Sequence, residues 1–256
     1  PHSRNPHNSR LMITVERVTQ HYGIKPVLTD ISLFIAAGTR TAVIGPNGMG
    51  KTTLLSVMAG VLSPQRGHVE IDGLRRRASV ETELEIRRRC LFLPDRCWLP
   101  KARTGREFVL SVGRLYDVPV DRLIEHTERL LKLFDLTPLA DAPIRTYSSG
   151  QQKKIALSSA LVTEAPILLL DEPFSGGLDP AGILALKHVL RRLAEREDRT
   201  IVVTTPVPEL VQEIADRIIV VRHGRIVADG SLDELRREAG ASSIDDVLET
   251  IIFPET

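Results

Sequence analysis

Short runs of β-branched and aliphatic residues alternate along the chain with stretches whose apolar residues recur at helical spacing. This is the pattern of a largely parallel sheet covered by helices. The runs predict strands at residues 41–45, 90–93, 167–171, 200–204, 217–221 and 225–228. Three earlier segments, 12–18, 31–35 and 68–71, have the half-exposed alternation of a smaller sheet. Between 104 and 160 the texture changes. Phe108, Val109, Val112 and Leu115, then Leu123, Ile124, Leu130, Leu131 and Phe134, recur at roughly helical spacing, which predicts a helical subdomain. Ser231 followed by Glu234 has capping-box spacing and predicts a helix that Gly240 stops. A last short amphipathic helix is expected at 242–252.

Composition narrows the class. The 256 residues are 42% hydrophobic and 26% charged, enough to bury one large core or two closely docked subdomains. The net charge is +1, so nucleic acid could be held only by a local basic patch. The candidates, Arg75-Arg76-Arg77 and Arg87-Arg88-Arg89, are interleaved with Glu81, Glu83 and Glu85 and read as solvated surface; no nucleic-acid partner is expected. Cys90 and Cys97 lack metal-ligand spacing and read as free thiols. No apolar run reaches the roughly 18 residues of a spanning helix, so a soluble chain is expected. Residues 1–10 hold no large aliphatic or aromatic anchor and read as a disordered lead.

The strongest chemical signal follows the strand at 41–45. Gly45-Pro46-Asn47-Gly48-Met49-Gly50-Lys51-Thr52-Thr53 fits G-x-x-x-x-G-K-[ST], with a helix opening near the lysine. Glycines let such a loop turn its amides toward a phosphate, and the helix N-terminus adds its positive dipole end. Lys51 is suited to neutralise β- and γ-phosphates, and the Thr52 hydroxyl to ligate Mg²⁺. A chance match to the fixed positions arises about once in 100 chains of this length, and a strand before plus a helix after makes it rarer.

A second signal is the apolar run Ile167-Leu168-Leu169-Leu170, which ends in Asp171-Glu172. Carboxylates at the carboxyl end of a buried strand lie where open α/β sheets bind ligands. Alone, the pattern fits an ordinary strand-to-loop transition equally well. Beside the glycine loop it assigns Asp171 to Mg²⁺ and Glu172 to general-base activation of water.

Tyr147-Ser148-Ser149-Gly150-Gln151, placed ahead of the 167–171 strand, then gives the chain a specific resemblance to the ATPase subunits of ABC transporters, whose signature is LSGGQ. Tyr147 stands for the leucine and Ser149 for the first glycine. Taken alone, the stretch would be an ordinary serine N-cap. The resemblance covers residues from Met12 to Glu234 and implies an ABC ATPase-like α/β fold. That fold has a mostly parallel core, a small antiparallel β-subdomain and an inserted helical subdomain near 104–160. It implies one domain over 11–235 and a short helical tail over 236–256, the latter similar, through Ser243-Ile244-Asp245-Asp246-Val247, to drug-export-type subunits. It further implies ATP and Mg²⁺ as cofactors, Tyr22 stacking on adenine, and Ser148, Ser149, Gly150 and Gln151 reaching the ATP of a second subunit. Asp179 of Leu178-Asp179-Pro180 matches the D-loop, although Phe174-Ser175-Gly176-Gly177 is one residue longer than the usual linker.

Two departures bear on chemistry. Asp95 follows Leu93-Pro94 where the family places glutamine; it is an acceptor only when ionised, able to ligate Mg²⁺ but repelling an unscreened γ-phosphate. Pro206 stands where the family has its γ-phosphate histidine and offers no donor. Together these predict slow or conditional hydrolysis. The reading is therefore a cytoplasmic ATPase subunit, peripheral on the inner membrane face. It dimerises with an identical or a different ATPase subunit and drives separate transmembrane permease subunits. Alternatives are a nucleotide-dependent regulatory or assembly clamp, a ribosome- or DNA-acting ABC ATPase, and a phosphate-loop kinase, the last opposed by the signature.

Overall fold

The computed structural model describes residues 12–195, 199–241 and 243–252. The lead expected at 1–10 and part of the C-terminal tail lie outside them.

The strands β1 (Ile13–His21), β2 (Pro26–Ile35), β3 (Arg40–Ile44), β4 (Arg66–Ile71), β5 (Leu74–Arg75), β6 (Cys90–Leu93), β7 (Ile167–Leu170), β8 (Thr200–Thr204), β9 (Arg217–Arg222) and β10 (Arg225–Gly230) form two sheets. The smaller is antiparallel with order β2-β1-β4-β5; the larger runs β10-β9-β3-β8-β7-β6 and is parallel except for the β9-β10 hairpin. The expected α/β class is thus present. β1 and β2 are longer than the alternation predicts because Arg17 and Asp30 adopt positive φ (44° and 53°) and the register shifts beside Val18. Such bulges break the two-residue period on which a strand is recognised.

Among the described residues the helices are α1 (Lys51–Met58), α2 (Val80–Arg89), α3 (Gly105–Leu115), α4 (Val120–Leu133), α5 (Ser149–Leu161), α6 (Pro180–Glu195), α7 (Pro208–Ile214), α8 (Leu232–Ala239) and α9 (Ile244–Ile252). α1 is buried nearly all round, its polar Lys51, Thr53 and Ser56 included. It lies between the sheets, its Leu54, Leu55, Val57 and Met58 sharing one core with Ile13, Ile35, Val43 and Leu169. On the other face, Leu168 and Leu170 of β7 join the helical region through Ile155 and Leu157 of α5 and Leu186 of α6. β7 is buried on both faces, and its unbroken aliphatic run follows from that. α8 opens on the Ser231–Glu234 capping box and stops at Gly240 in the left-handed conformation. With α9 it packs Leu235, Val247 and Leu248 against Ile44 and Val220.

α2 is not visible in the apolar pattern, since only its Ile86 is a fully buried aliphatic. The surface reading of the arginine runs also fails at one point. Arg76 is buried, donating to Glu83 Oε1 at 3.0 Å and to the Met58 carbonyl at 2.6 Å, so it ties α2 to the C-terminal end of α1.

The helical region is anchored by Phe134, 1% exposed and packed in the core beside Leu123 and Leu131. Truncating a buried aromatic removes its transfer free energy and leaves a cavity, so Phe134→Ala is expected to cost about 3–5 kcal/mol. Urea unfolding followed by circular dichroism measures this; a loss under about 1 kcal/mol would show that the site collapses around the smaller side chain.

Candidate functional site

In the larger sheet β8 separates β3 from β7, so three carboxyl-terminal strand ends lie side by side. They deliver the glycine loop, Thr204-Thr205 and Asp171-Glu172 to one place. Gly45 and Gly50 have φ of 144° and 104°, and a Cβ would lie 2.1 Å from the Val221 carbonyl oxygen at Gly45 and 2.9 Å from that of Val27 at Gly50. Glycine is therefore required by both torsion and space. The left-handed Gly50 is the N-cap of α1 and provides no side-chain cap, so the first amides of the helix have no intrahelical acceptor. That is the electrostatic setting an anion takes.

Lys51 is 4% exposed and folds back to donate to the carbonyls of Gly45 (2.8 Å) and Pro46 (3.0 Å). Burial lowers its ammonium pKa below the usual lysine range, while Glu172 and Asp171 act in the opposite direction. Asn47, Gly48, Thr52, Thr53 and Glu172 line the same opening of about 350 Å³. Met49 is turned from it, its sulfur accepting from His223 N at 3.3 Å.

Asp171 is 1% exposed. Its Oδ1 accepts from Thr52 Oγ1 at 3.1 Å and Thr204 Oγ1 at 2.7 Å, whereas Oδ2 is buried without a hydrogen-bond partner. A buried carboxylate oxygen lacking a donor, next to an exposed threonine hydroxyl, fits a hard divalent cation completed by phosphate oxygens and water. Among the described residues no cluster of three or more His, Cys, Asp or Glu side chains could hold a metal unaided.

Glu172 has φ of 44°, unusual for a residue with a side chain. Its amide donates to Thr204 Oγ1 at 2.8 Å, and its carbonyl accepts from Lys153 Nζ at 3.0 Å and Ser175 Oγ at 2.8 Å. Asp95 meets the same two groups: its Oδ1 lies 3.4 Å from Lys153 Nζ and 2.8 Å from Ser175 Oγ. Pro206 is exposed at the bend after β8. Tyr22 is 62% exposed in the turn between β1 and β2.

The residues Ser148 to Gln151 open α5 as a capping box, with Gln151 N donating to Ser148 Oγ at 3.3 Å and Ser148 N to Gln151 Oε1 at 2.8 Å. The plain N-cap explanation of this stretch is therefore correct as local structure. Gly150 has a further reason to be glycine, since a Cβ there would lie 2.5 Å from the Gly177 carbonyl oxygen. Tyr147 is buried and donates its hydroxyl to the Leu139 carbonyl at 2.5 Å, an anchor that leucine could not provide. Asp179 accepts from Lys154 Nζ (2.9 Å) and Gly182 N (2.8 Å), bonds that hold its carboxyl below the usual aspartate range.

Sequence reasoning missed Thr204, Lys153, Lys154 and Ser175. The polar pair that ends the aliphatic run of β8 was a usable signal for Thr204. The lysines gave none without the packing of α5 on the loops.

Residues 28–175 match the family model described as ABC transporter. The chain is 36% identical over 236 residues to the daunorubicin resistance ATP-binding protein DrrA3 of Streptomyces coeruleorubidus, an alignment covering 92% of this chain and 73% of that one. It is 31% identical to the glycine betaine/carnitine/choline transport ATP-binding protein OpuCA of Bacillus subtilis, over 93% of this chain and 62% of that one. Among solved structures, an ATP-binding subunit of an ABC transporter superposes with a TM-score of 0.84 at 27% identity, covering 94% of this chain and 99% of the other. A dimeric ATP-binding cassette bound to ADP and Pi gives 0.77 at 25%, with coverage of 86% and 98%. With a glycine loop, an Asp-Glu strand end and a capped signature helix on the matching fold, the chain belongs to the ABC transporter ATP-binding family.

Proposed function

We propose that the chain binds MgATP between the glycine loop and Asp171, closes on it as a dimer, and hydrolyses it to drive transport through separate membrane subunits. The observation that carries this is the buried, partnerless Asp171 Oδ2 beside the Thr52 hydroxyl and the uncapped α1 N-terminus. In this reading the amides of residues 45–53 and Lys51 hold the phosphates, and Thr52 and Asp171 hold Mg²⁺. Mg²⁺ screens the phosphate charge. Glu172 orients and deprotonates water, Tyr22 covers the base, and Ser148, Ser149, Gly150 and Gln151 meet the nucleotide of a second ATPase subunit. Asp179 lies on the linker toward that subunit. The names of the relatives, which include drug-resistance and transport ATP-binding proteins, support a role in transport; the operating place in this reading is the inner membrane face beside a permease.

Hydrolysis is slow on this reading. Pro206 supplies no donor to developing charge, and loss of one preorganised donor costs about 10²–10³ in rate in comparable sites. A heterodimer in which a different subunit carries an intact site would relieve this.

Gel filtration with light scattering tests the dimer. The Glu172→Gln chain is expected to shift from monomer to dimer with MgATP and to remain monomeric with MgADP. A mass unchanged by MgATP would count against closure around nucleotide. Extraction of the native protein in detergent is expected to bring a multi-span subunit with it; recovery from cytosol with soluble partners alone would favour the regulatory clamp.

A further inference from the structure

The Lys153 side chain is 6% exposed, and its ammonium has only three protons to place. All are directed at two neighbouring loops: the Asp95 carbonyl at 3.2 Å, Asp95 Oδ1 at 3.4 Å and the Glu172 carbonyl at 3.0 Å. Ser175 Oγ closes the same ring, 2.8 Å from both Asp95 Oδ1 and the Glu172 carbonyl. On the other side of its peptide, Glu172 donates to Thr204 Oγ1. The one residue of this strand end with positive φ is thus pinned at both its amide and its carbonyl.

That pinning has a chemical consequence. A residue held at φ of 44° persists there only when its surroundings over-determine it. The torsion fixes the direction in which the Glu172 side chain leaves the backbone, and that side chain lines the opening at the glycine loop. Of Glu172, Lys153 meets the backbone carbonyl and not the side chain, so it acts on the carboxylate through the backbone. A nearly buried ammonium also needs a counter-charge, and its nearest carboxylate contact is Asp95.

We propose that Lys153 is a positioning residue for Glu172, and that Asp95 serves as the counter-charge that keeps Lys153 in place. Asp95 then belongs to the support of the base, and Lys153 and Asp95 form one unit. This rests on the reading of Glu172 as the general base. It goes further by making the first turns of α5, two residues beyond the signature residues, a mechanical support of the reaction in the same subunit.

The test is a double-mutant cycle on the full chain. MgATP affinity is measured by calorimetry, single-turnover hydrolysis with γ-labelled ATP, and thermal unfolding by circular dichroism. Lys153→Met is expected to slow hydrolysis by roughly 10- to 100-fold, the scale of a misplaced reacting group, with MgATP affinity within about 3-fold of the parent. Lys153→Arg, which keeps the charge and donors, is expected to retain the rate within about 3-fold. Asp95→Asn is expected to slow hydrolysis, and adding it to Lys153→Met to cost nothing further, because coupled residues are not additive. Should Lys153→Met not fold, Lys153→Gln is judged by the same criteria.

Lys153→Met hydrolysing as fast as the parent would overturn the proposal. So would a rate falling in step with affinity or thermal stability, or losses from the two sites that multiply independently. A parent that binds MgATP without turning it over also overturns it, while leaving the phosphate site intact. A parent that does not bind MgATP overturns the reading of the site itself. Glu172→Gln as fast as the parent removes Glu172 as base, and with it the object that Lys153 positions.

Discussion

Lys51→Ala is expected to weaken MgATP binding by about 100-fold or more while leaving the chain folded. The lysine begins α1 and is almost wholly buried, its ammonium within bonding distance of two loop carbonyls and in the field of Asp171 and Glu172. A polyphosphate entering the loop brings several negative charges close to those acids, and Lys51 is the cation built into the same wall. Each charge-assisted hydrogen bond lost costs about 1.5–3 kcal/mol, so two such bonds to phosphate account for a hundredfold or more. Alanine is a good helix residue, so α1 itself is expected to survive. Calorimetric titration decides the matter. Affinity within a few-fold of the parent would show that Lys51 only braces the loop through Gly45 and Pro46.

Glu172→Gln is expected to lower single-turnover hydrolysis by at least about 100-fold, the scale of a general base. Glutamine keeps the side-chain length, and the contacts that fix this residue's backbone, to Thr204, Lys153 and Ser175, do not involve the side chain. The substitution therefore removes proton acceptance and negative charge without freeing the peptide. MgATP affinity is expected to be equal or tighter, because a carboxylate facing the phosphates is gone. Release of labelled phosphate at the parent rate would show that water is activated elsewhere, and would turn attention to groups outside this strand end. Slow turnover in the parent, expected from Pro206, makes the single-turnover format the appropriate one.

The parts of the molecule legible in the sequence are those in which a local pattern carries the information. The unbroken aliphatic run of β7 announces burial on two faces, the glycines around Lys51 announce a backbone with positive φ, and Ser231 with Glu234 announces a helix start. Glycine loop and acidic strand end can each be found separately for this reason. What joins them is not local. β8 follows β7 in the chain but inserts between β7 and β3 in the sheet, so Thr204 comes to bridge Asp171 and the Glu172 amide across a boundary that no sequence period records.

Charge runs were legible in kind but not in detail. Arg76 and Glu83 look like their solvated neighbours, yet they form a buried pair that fastens α2 to α1. Lys153 and Lys154 likewise resemble surface lysines of a helix, yet their ammonium groups reach the loops that carry Asp95, Glu172 and Asp179. Alternation covers only part of β1 and β2, because bulges at Arg17 and Asp30 interrupt it.

Titration of the unaltered chain with ATP, in the presence of Mg²⁺ and again with the metal chelated, tests the central claim most directly. The account predicts one saturable site per chain, clearly weaker without the metal, because phosphate and the buried Asp171 carboxylate then face each other unscreened. Heats of dilution alone with MgATP, or equal binding with and without Mg²⁺, would contradict it.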